Sequence, residues 1–220
     1  MCEGAPEHMI WRIRKLRRED VNATAGLLAR AFADNPAYAF MHPRVATRPR
    51  DLRRFFERNL IWHLPVDFTW VVVDGADAPV GTATLEPPGG IPHSRWELFS
   101  HWLLPALFEQ GPRTLRRMLE ADRAFARRSR WNAEAPDYWH LHAVAVEPKH
   151  QRSGAGSALL GHVLGELDRL LPARPAPVIL STQRESNVRL YQRYGFAERG
   201  TFAIGEGRPD AFTSWCMRRH

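Results

Sequence analysis

The amino-acid sequence predicts one mixed α/β domain, also describable as α+β, in which helices flank a sheet of six or seven strands. Three observations lead to this fold class. From Tyr138 onward, apolar runs of strand length alternate with helical patterns. Two apolar runs within residues 68–85 are separated by a turn, as in a β-hairpin. Such alternation requires a largely parallel centre flanked by antiparallel hairpins. A length of 220 residues suits one domain with an insertion.

The N-terminal half predicts a strand, two helices and the hairpin. Asp20 follows the first strand and can cap the first helix, and Asn35-Pro36 breaks that helix. Apolar residues then recur at helical spacing in the second helix. The predicted bounds are 9–16 for the strand, about 20–33 and 51–64 for the helices, and 68–73 and 80–85 for the hairpin.

Residues 86–137 interrupt this alternation and predict a helical insertion at about 87–137. A Pro/Gly-rich loop leads into helical stretches at about 94–108 and 113–130. The first stretch has more apolar surface than a solvated connection needs. Packing of these residues on the body of the domain is the commoner explanation, and covering of a substrate cleft is the functional one. The residues are Trp96, Phe99, Trp102, Leu103, Leu104 and Phe108.

The C-terminal half has the most regular pattern. Strands and helices alternate at short intervals, and neither an internal repeat nor a long low-complexity tract interrupts them. The predicted strands are 138–146, 178–182, 196–204 and 212–218, and the predicted helices are 154–171 and 187–194.

The composition favours a soluble cytoplasmic protein without a membrane partner. The start of the chain has no sustained apolar run after its basic residues, and no stretch of eighteen apolar residues occurs. Cys2 and Cys216 lie near opposite ends and provide no disulfide framework. Nothing in the sequence decides between a monomer and a homodimer.

A net charge of +7 raises the question of a nucleic-acid partner. Lys15 and Lys149 are the only lysines, and the arginines are scattered along the chain with acidic residues between them. This distribution argues against a nucleic-acid site. A positive field would still concentrate an anionic cofactor.

The strand ending at Val146 runs into a loop that predicts a phosphate site. Gly154 and Gly156 allow the backbone to approach a ligand, and the amides of the next helix's first turn lack internal partners. These donors and the helix dipole attract an anion, to which Arg152 or Lys149 can add charge. A dinucleotide fingerprint would need a third glycine, and a nucleotide P-loop would need a Lys-Ser/Thr pair after the second.

Gln151, Gly154 and Gly156 resemble the Gln/Arg-x-x-Gly-x-Gly/Ala motif of the GCN5-related N-acetyltransferase (GNAT) superfamily. The resemblance implies a sheet splayed at its centre that admits acetyl-CoA as co-substrate, with a coenzyme-binding core at about 138–196. It assigns the pantetheine arm to Val144, Ala145 and Val146 at the strand end. It assigns the pyrophosphate to Arg152, Ser153, Gly154, Ala155, Gly156 and Ser157.

The helix near residue 187 also resembles the family's Asn-containing helix that ends in Tyr-x-x-x-Gly-Phe. Asn187 can cap this helix, and the resemblance adds a hydrogen bond to the coenzyme. Tyr191 suits a general acid for the departing thiolate, because the pKa of a tyrosine is about 10 and that of a thiol about 8.5. A purely structural aromatic is the alternative for Tyr191, and Tyr194 is the weaker candidate for the acid.

His140 and His142 lie two residues apart on a predicted strand, so their side chains share one face. Two imidazoles there can relay a proton from an ammonium substrate, which must be neutral to attack. The pair resembles the base relay of arylalkylamine N-acetyltransferases. Core packing and a metal pair are the alternatives, but the sequence offers too few further ligands for a metal, so none is expected. Glu86, at the end of the preceding strand, is the reserve base.

These features predict an acetyl-CoA-dependent N-acetyltransferase whose small primary amine attacks the thioester directly, with a backbone amide near Val144 stabilising the oxyanion. The insertion and the ending Trp215-Cys216-Met217 resemble the puromycin N-acetyltransferase-like group in architecture. An acetyltransferase acting on protein N-termini or lysines remains an alternative within this class. A non-catalytic acetyl-CoA-binding module and a nucleic-acid-binding module are the alternatives outside it.

Overall fold

The structure, a computed structural model, describes residues 11–92, 94–100, 104–132, 138–172 and 177–220. Within these ranges seven strands form one open mixed sheet in the order β1-β2-β3-β4-β5-β7-β6. The predicted fold class is confirmed. The strands are β1 Arg12–Lys15, β2 Thr69–Val73, β3 Pro79–Glu86, β4 Trp139–Val146, β5 Val178–Thr182, β6 Ala197–Ile204 and β7 Phe212–Arg219.

Seven α-helices occur in the described ranges, and a π-helical turn at Ala106–Gln110 precedes the fifth. The helices are α1 Val21–Ala31, α2 Pro36–Met41, α3 Arg48–His63, α4 Arg95–Leu98, α5 Pro112–Asn132, α6 Ala155–Leu170 and α7 Glu185–Gln192. The sequence interpretation missed α2. The Asn35-Pro36 pair follows α1 and also begins α2. Asn35 Oδ1 caps α2 by accepting a hydrogen bond from the Ala37 amide at 2.9 Å.

Asp20 occupies the predicted N-cap position of α1 but does not cap the helix through its side chain. Its carboxylate instead pairs with the Arg14 guanidinium of β1 at 2.6 and 3.0 Å. The bidentate geometry of this ion pair ties the first strand to the entry of α1.

Helices cover both faces of the sheet, and the core has one layer on each. On one face Leu159, Leu160 and Val163 of α6 pack on alternate strand residues such as Leu141 and Leu180. On the other face α1 and α3 pack on β2 and β4. The residues of that second layer include Leu27, Leu28, Leu52, Phe56, Leu60, Val71, Val73 and Ala145. Side-chain alternation along the strands therefore decides which functional residues face α3 and which face α6.

The sheet is splayed between its two parallel central strands, as predicted. Register pairs between β4 and β5 are confined to Trp139 with Val178 and His140 with Ile179. Both strands continue beyond these pairs, β4 to Val146 and β5 to Thr182. Backbone groups of β4 that would bond a parallel neighbour therefore face a gap at the carboxyl ends of the strands.

The segment between β3 and β4 contains α4 and α5. α5 packs against α2 and the β6–β7 hairpin, with Phe125 beside Phe202. The expectation that the aromatic residues of the first stretch pack on the domain is wrong for Trp96, Phe99 and Phe108, which are 72%, 44% and 77% exposed. Leu104 is also exposed, and Trp102 and Leu103 lie outside the described residues. Among the described helices, none is both long and apolar enough to cross a membrane.

Candidate active site

The loop between β4 and α6 has the backbone geometry of an anion site. Gly154 precedes α6 with φ +87°, a left-handed conformation that favours glycine. A Cβ on Gly156 would lie 3.3 Å from Val146 Cγ2, so the close approach of α6 to the strand end also favours glycine. The first-turn amides of α6 thus lie beside the gap between β4 and β5, where a pyrophosphate can accept their hydrogen bonds.

Hydrogen bonds within the loop hold these amides in place. Gln151 Nε2 donates to the carbonyl of Val146 at 3.3 Å, and Ser153 Oγ donates to the carbonyl of His150 at 2.6 Å. The Trp11 indole donates to the Ser153 carbonyl at 3.3 Å. Arg152 has φ +64°, a strained conformation for an arginine. The residues fit a diphosphate ligand, and Gln151 has a structural role in the loop.

Gly154→Ala is expected to destabilise the protein by about 1–2 kcal/mol, because the alanine must adopt a left-handed backbone. The same change is expected to weaken coenzyme A binding. Gly165→Ala is the matched control: it lies within α6, nothing would contact its Cβ within 4 Å, and helix propensity favours it by about 0.5–1 kcal/mol. Urea titration and calorimetry with coenzyme A measure both effects. Unchanged coenzyme A affinity in Gly154→Ala would remove this loop from the site.

The structure corrects the predicted role of Asn187. α7 begins at Glu185, so Asn187 is not its cap, and its amide instead donates to Thr182 Oγ1 at 3.2 Å. This bond fixes the helix start against the end of β5. A coenzyme contact of Asn187 stays a prediction.

Tyr191 is buried on the α6 face of the sheet, in a core cluster with Phe196, whose ring lies 5.7 Å away. Burial raises the pKa of Tyr191 to about 12, which widens its separation from the pKa of a thiol. The Tyr194 hydroxyl already has a hydrogen-bond partner, since it donates to the Ser157 carbonyl at 2.9 Å. Catalysis by Tyr191 stays a prediction.

Glu86 and the two histidines of β4 come together on the α3 face of the sheet. Glu86 is the register partner of His140 at the end of the β3–β4 ladder. Leu85 pairs with Leu141 and Thr84 with Ala143, so His142 occupies a β-bulge without a partner on β3. The prediction that His140 and His142 share a face is confirmed, since both rings reach Glu86.

Glu86 is the centre of this cluster. One carboxylate oxygen accepts from His140 Nδ1 at 2.8 Å. The other oxygen lies 2.9 Å from His63 Nε2 and 3.4 Å from His142 Nδ1. These contacts suit an orienting group. The role of Glu86 as a reserve base stays a prediction.

Sequence reasoning missed His63 and Asn59, which approach the cluster from α3. The His63 side chain is only 2% exposed, and its Nδ1 lies 2.6 Å from the Asn59 carbonyl. Asn59 Nδ2 donates to His142 Nε2 at 3.2 Å. Both residues are buried on α3, together with Leu52, Phe56 and Leu60. Polar residues on a buried helix face, one turn apart, were the available signal.

The charges of the cluster follow from these contacts. Burial alone would raise the pKa of Glu86, but attraction to His142, which acts only while that ring is protonated, and hydrogen bonds from His140 and His63 hold it well below its usual range. Glu86 is therefore a carboxylate at neutral pH. Burial lowers the pKa of His142 to about 4, against the attraction of Glu86, so His142 is neutral.

His140 is the member of the cluster that can accept a proton from a ligand. Glu86 binds its Nδ1–H and so selects the tautomer in which Nε2 carries the lone pair. That Nε2 makes no hydrogen bond with any residue in the described ranges, and the side chain is partly exposed. A carboxylate that orients an imidazole in this way prepares a general base.

The cluster forms part of the wall of a cavity of about 620 Å³. α5 supplies another part of the wall, which supports the idea that the insertion covers a cleft. Asp122 of α5 adds a carboxylate, and burial raises its pKa although Arg123 opposes this. The apolar side chains include Tyr38, Phe55, Trp62, Leu115, Met118 and Phe125.

His63, Glu86 and His142 offer ligand atoms within 4.8 Å of one another, a separation that a metal ion could span. Of these three side chains, His63 and Glu86 are joined by a hydrogen bond of 2.9 Å that needs no ion. The absence of a metal stays a prediction.

Comparisons with known proteins agree with this geometry. The sequence model of the acetyltransferase (GNAT) domain matches residues 119–198. The fold is similar to that of an acetyltransferase from Corynebacterium glutamicum, described as histone acetyltransferase HPA2 and related, with a TM-score of 0.65, 19% identity and 96% of each chain covered.

Two further solved structures share the fold. One is the polyamine N-acetyltransferase of Drosophila melanogaster, with a TM-score of 0.60, 18% identity, and coverage of 96% of this chain and 100% of that one. The other is a mosquito arylalkylamine N-acetyltransferase-like protein, with a TM-score of 0.62, 14% identity, and coverage of 96% of this chain and 99% of that one.

Proposed function

The chain belongs to the GNAT superfamily of acetyltransferases, and from this premise we propose that it transfers the acetyl group of acetyl-CoA to a primary amine of a small molecule. The observation that carries the proposal is the Glu86–His140 pair, 2.8 Å apart, in the wall of a largely apolar cavity. The pair provides an oriented base, and the cavity provides room for an acceptor of limited size.

The coenzyme would occupy the gap between β4 and β5. Val144, Ala145 and Val146 would bind the pantetheine arm through their backbone groups, and the amides from Arg152 to Ser157 would bind the pyrophosphate. When bound, acetyl-CoA supplies an acetyl group already activated as a thioester. The unpaired part of β4 and the glycine conformations of the loop support this placement.

His140 would make the acceptor a nucleophile. An alkylamine with a pKa of about 10 is almost entirely protonated at neutral pH and cannot attack a carbonyl. His140 Nε2 would take the proton, while Glu86 would orient the ring through its hydrogen bond with Nδ1. The nitrogen would then form its bond to the acetyl carbon as the bond to sulfur breaks, and Tyr191 would protonate the departing sulfur. The second proton that the nitrogen loses on becoming an amide would pass to solvent, and the Tyr191 phenolate would recover a proton from solvent.

The cavity wall supports a small acceptor with an apolar body. Aromatic and aliphatic side chains from α2, α3 and α5 form much of this wall, and Asp122 can attract the ammonium group. Two proteins of the same fold are named for N-acetylation of polyamines or arylalkylamines, which agrees with a small amine. We also propose a cytoplasmic location, as the cysteine content suggests.

Tyr191→Phe tests the proposed acid. If Tyr191 protonates the leaving thiolate, its loss lowers kcat by about 10²-fold, the lower end of the range for a general acid. Coenzyme A affinity is expected to stay unchanged, because the substitution keeps the buried ring. Tyr194→Phe, one turn further on, is the matched control. Wild-type kcat in Tyr191→Phe would leave Tyr191 with a packing role only.

The proposed function is tested by release of free thiol from acetyl-CoA with a panel of acceptors. The panel holds arylalkylamines, aliphatic diamines, and peptides with a free N-terminus or a lysine. Turnover is expected with at least one small amine and not with the peptides. Preference for peptides would make the protein acetyltransferase alternative correct. Coenzyme A binding without any turnover would favour a non-catalytic module.

A further inference from the structure

We propose that His63 is a positioning residue, held as an imidazolium between the Asn59 carbonyl and the Glu86 carboxylate, and that this buried ion pair keeps His140 neutral. The inference rests on the proposed function, in which His140 is the base. It concerns a residue of α3 that lies outside the β4 strand and the coenzyme loop.

The protonation of His63 follows from its two neighbours. A backbone carbonyl lies 2.6 Å from Nδ1 and can only accept a hydrogen bond. A carboxylate oxygen lies 2.9 Å from Nε2 and, when ionised, can also only accept. Both ring nitrogens must then carry hydrogen, which makes the ring a cation. The low pKa of Glu86 agrees with a proton on His63 rather than on the carboxylate.

His142 cannot take this role. Its Nε2 faces the amide nitrogen of Asn59 at 3.2 Å, which donates, so Nε2 must carry the lone pair. Its Nδ1–H then points toward Glu86 at 3.4 Å. Asn59 therefore stabilises a different protonation state in each of two rings. Its backbone carbonyl stabilises the charged ring of His63, and its side-chain amide stabilises the neutral ring of His142.

The ion pair matters for His140 because Glu86 has only one negative charge. An uncompensated carboxylate 2.8 Å from His140 would favour the imidazolium form of His140, which cannot accept a proton from the amine. The cation at His63 offsets the negative charge of Glu86 before an amine reaches His140. His140 then keeps its lone pair, while Glu86 still fixes its tautomer.

The cavity contains few other groups that could change this balance. Besides His63, the described titratable residues that line the cavity are Glu86 of β3, His140 and His142 of β4, Asp122 of α5 and Tyr38 of α2. Asp122 is the remaining carboxylate, and burial raises its pKa.

The charge of His63 is measured by nitrogen NMR of the ¹⁵N-histidine-labelled full chain, without substrate. At pH 8 one imidazole is expected to show two protonated nitrogens, and His63→Gln is expected to remove that signal. Only neutral imidazoles in the wild-type protein at pH 8 would overturn the proposal. This readout needs no acetyl transfer, so it is independent of whether the proposed function is correct.

The pH profile of kcat/KM measures the consequence for His140. In His63→Gln the unpaired Glu86 carboxylate stabilises a proton on His140, so the acidic limb is expected to move to higher pH by about one unit. The loss of activity should therefore be large at pH 6.5 and small at pH 9. A uniform loss at all pH values would indicate only a structural role. His162→Gln on α6 is the matched control and is expected to keep the wild-type profile.

Discussion

His140→Asn is expected to lower kcat/KM for acetyl transfer to an amine by about 10²–10⁴-fold. Asparagine can still donate a hydrogen bond to Glu86, but it has no basic nitrogen at the position of Nε2. The acceptor then has to reach the site already deprotonated. Because the neutral fraction of an amine rises tenfold per pH unit below a pKa of about 10, the variant should recover activity as the pH rises.

Binding and stability controls separate this effect from damage to the fold. Coenzyme A affinity is expected to stay within about twofold of the wild type, since His140 lies outside the loop that holds the pyrophosphate. His162→Asn removes a histidine from α6, away from the cavity, and should retain full activity. Near-wild-type kcat/KM in His140→Asn at pH 7 would exclude His140 as the base.

Ala126→Trp is expected to raise the KM of the acceptor by about 10-fold or more, which corresponds to at least 1.4 kcal/mol of lost binding. Ala126 lies in α5, lines the cavity and is exposed, so a larger side chain can enter the cavity without overpacking the core. The acceptor loses room, whereas the coenzyme gap between β4 and β5 is unchanged.

Steady-state kinetics with each substrate varied in turn give the KM of the amine and the KM of acetyl-CoA separately. Arg116→Trp places the same side chain on α5 at an exposed position that does not line the cavity, and it should leave both KM values unchanged. If Ala126→Trp raised the KM of acetyl-CoA and not that of the amine, the cavity would belong to the coenzyme. The assignment of an acceptor site would then be wrong.

Local patterns in the sequence predicted much of the fold and part of the site. The apolar run of β4, the two glycines and the periodicity of α6 are signals within about thirty residues, so the strand, loop and helix were predictable together. Strand alternation placed His140 and His142 on one face. The same reasoning missed the bulge at His142, because a bulge depends on how β4 pairs with β3.

Contacts between distant segments were not predictable in this way. His63 is 23 residues from Glu86 in sequence, and polar residues on a buried helix face do not indicate which distant residues they contact. The aromatic residues of the first insertion stretch were expected to pack on the domain, yet Trp96 and Phe108 are exposed. Apolar content predicts burial only where the fold provides a surface to cover. α2 was missed because one Asn-Pro pair both ends a helix and begins the next.

The most direct test of acetyl transfer by amine attack is a rapid-quench experiment with acetyl-labelled acetyl-CoA and an amine that the panel has identified. The expected result is labelled N-acetyl amine in a one-to-one ratio with free coenzyme A, with no label on the protein at any time. Cys216, whose Sγ lies 4.0 Å from Ser181 Oγ in the cavity wall, is the thiol to monitor by mass spectrometry. Labelled protein that forms without amine and then passes its acetyl group to the amine would contradict direct attack.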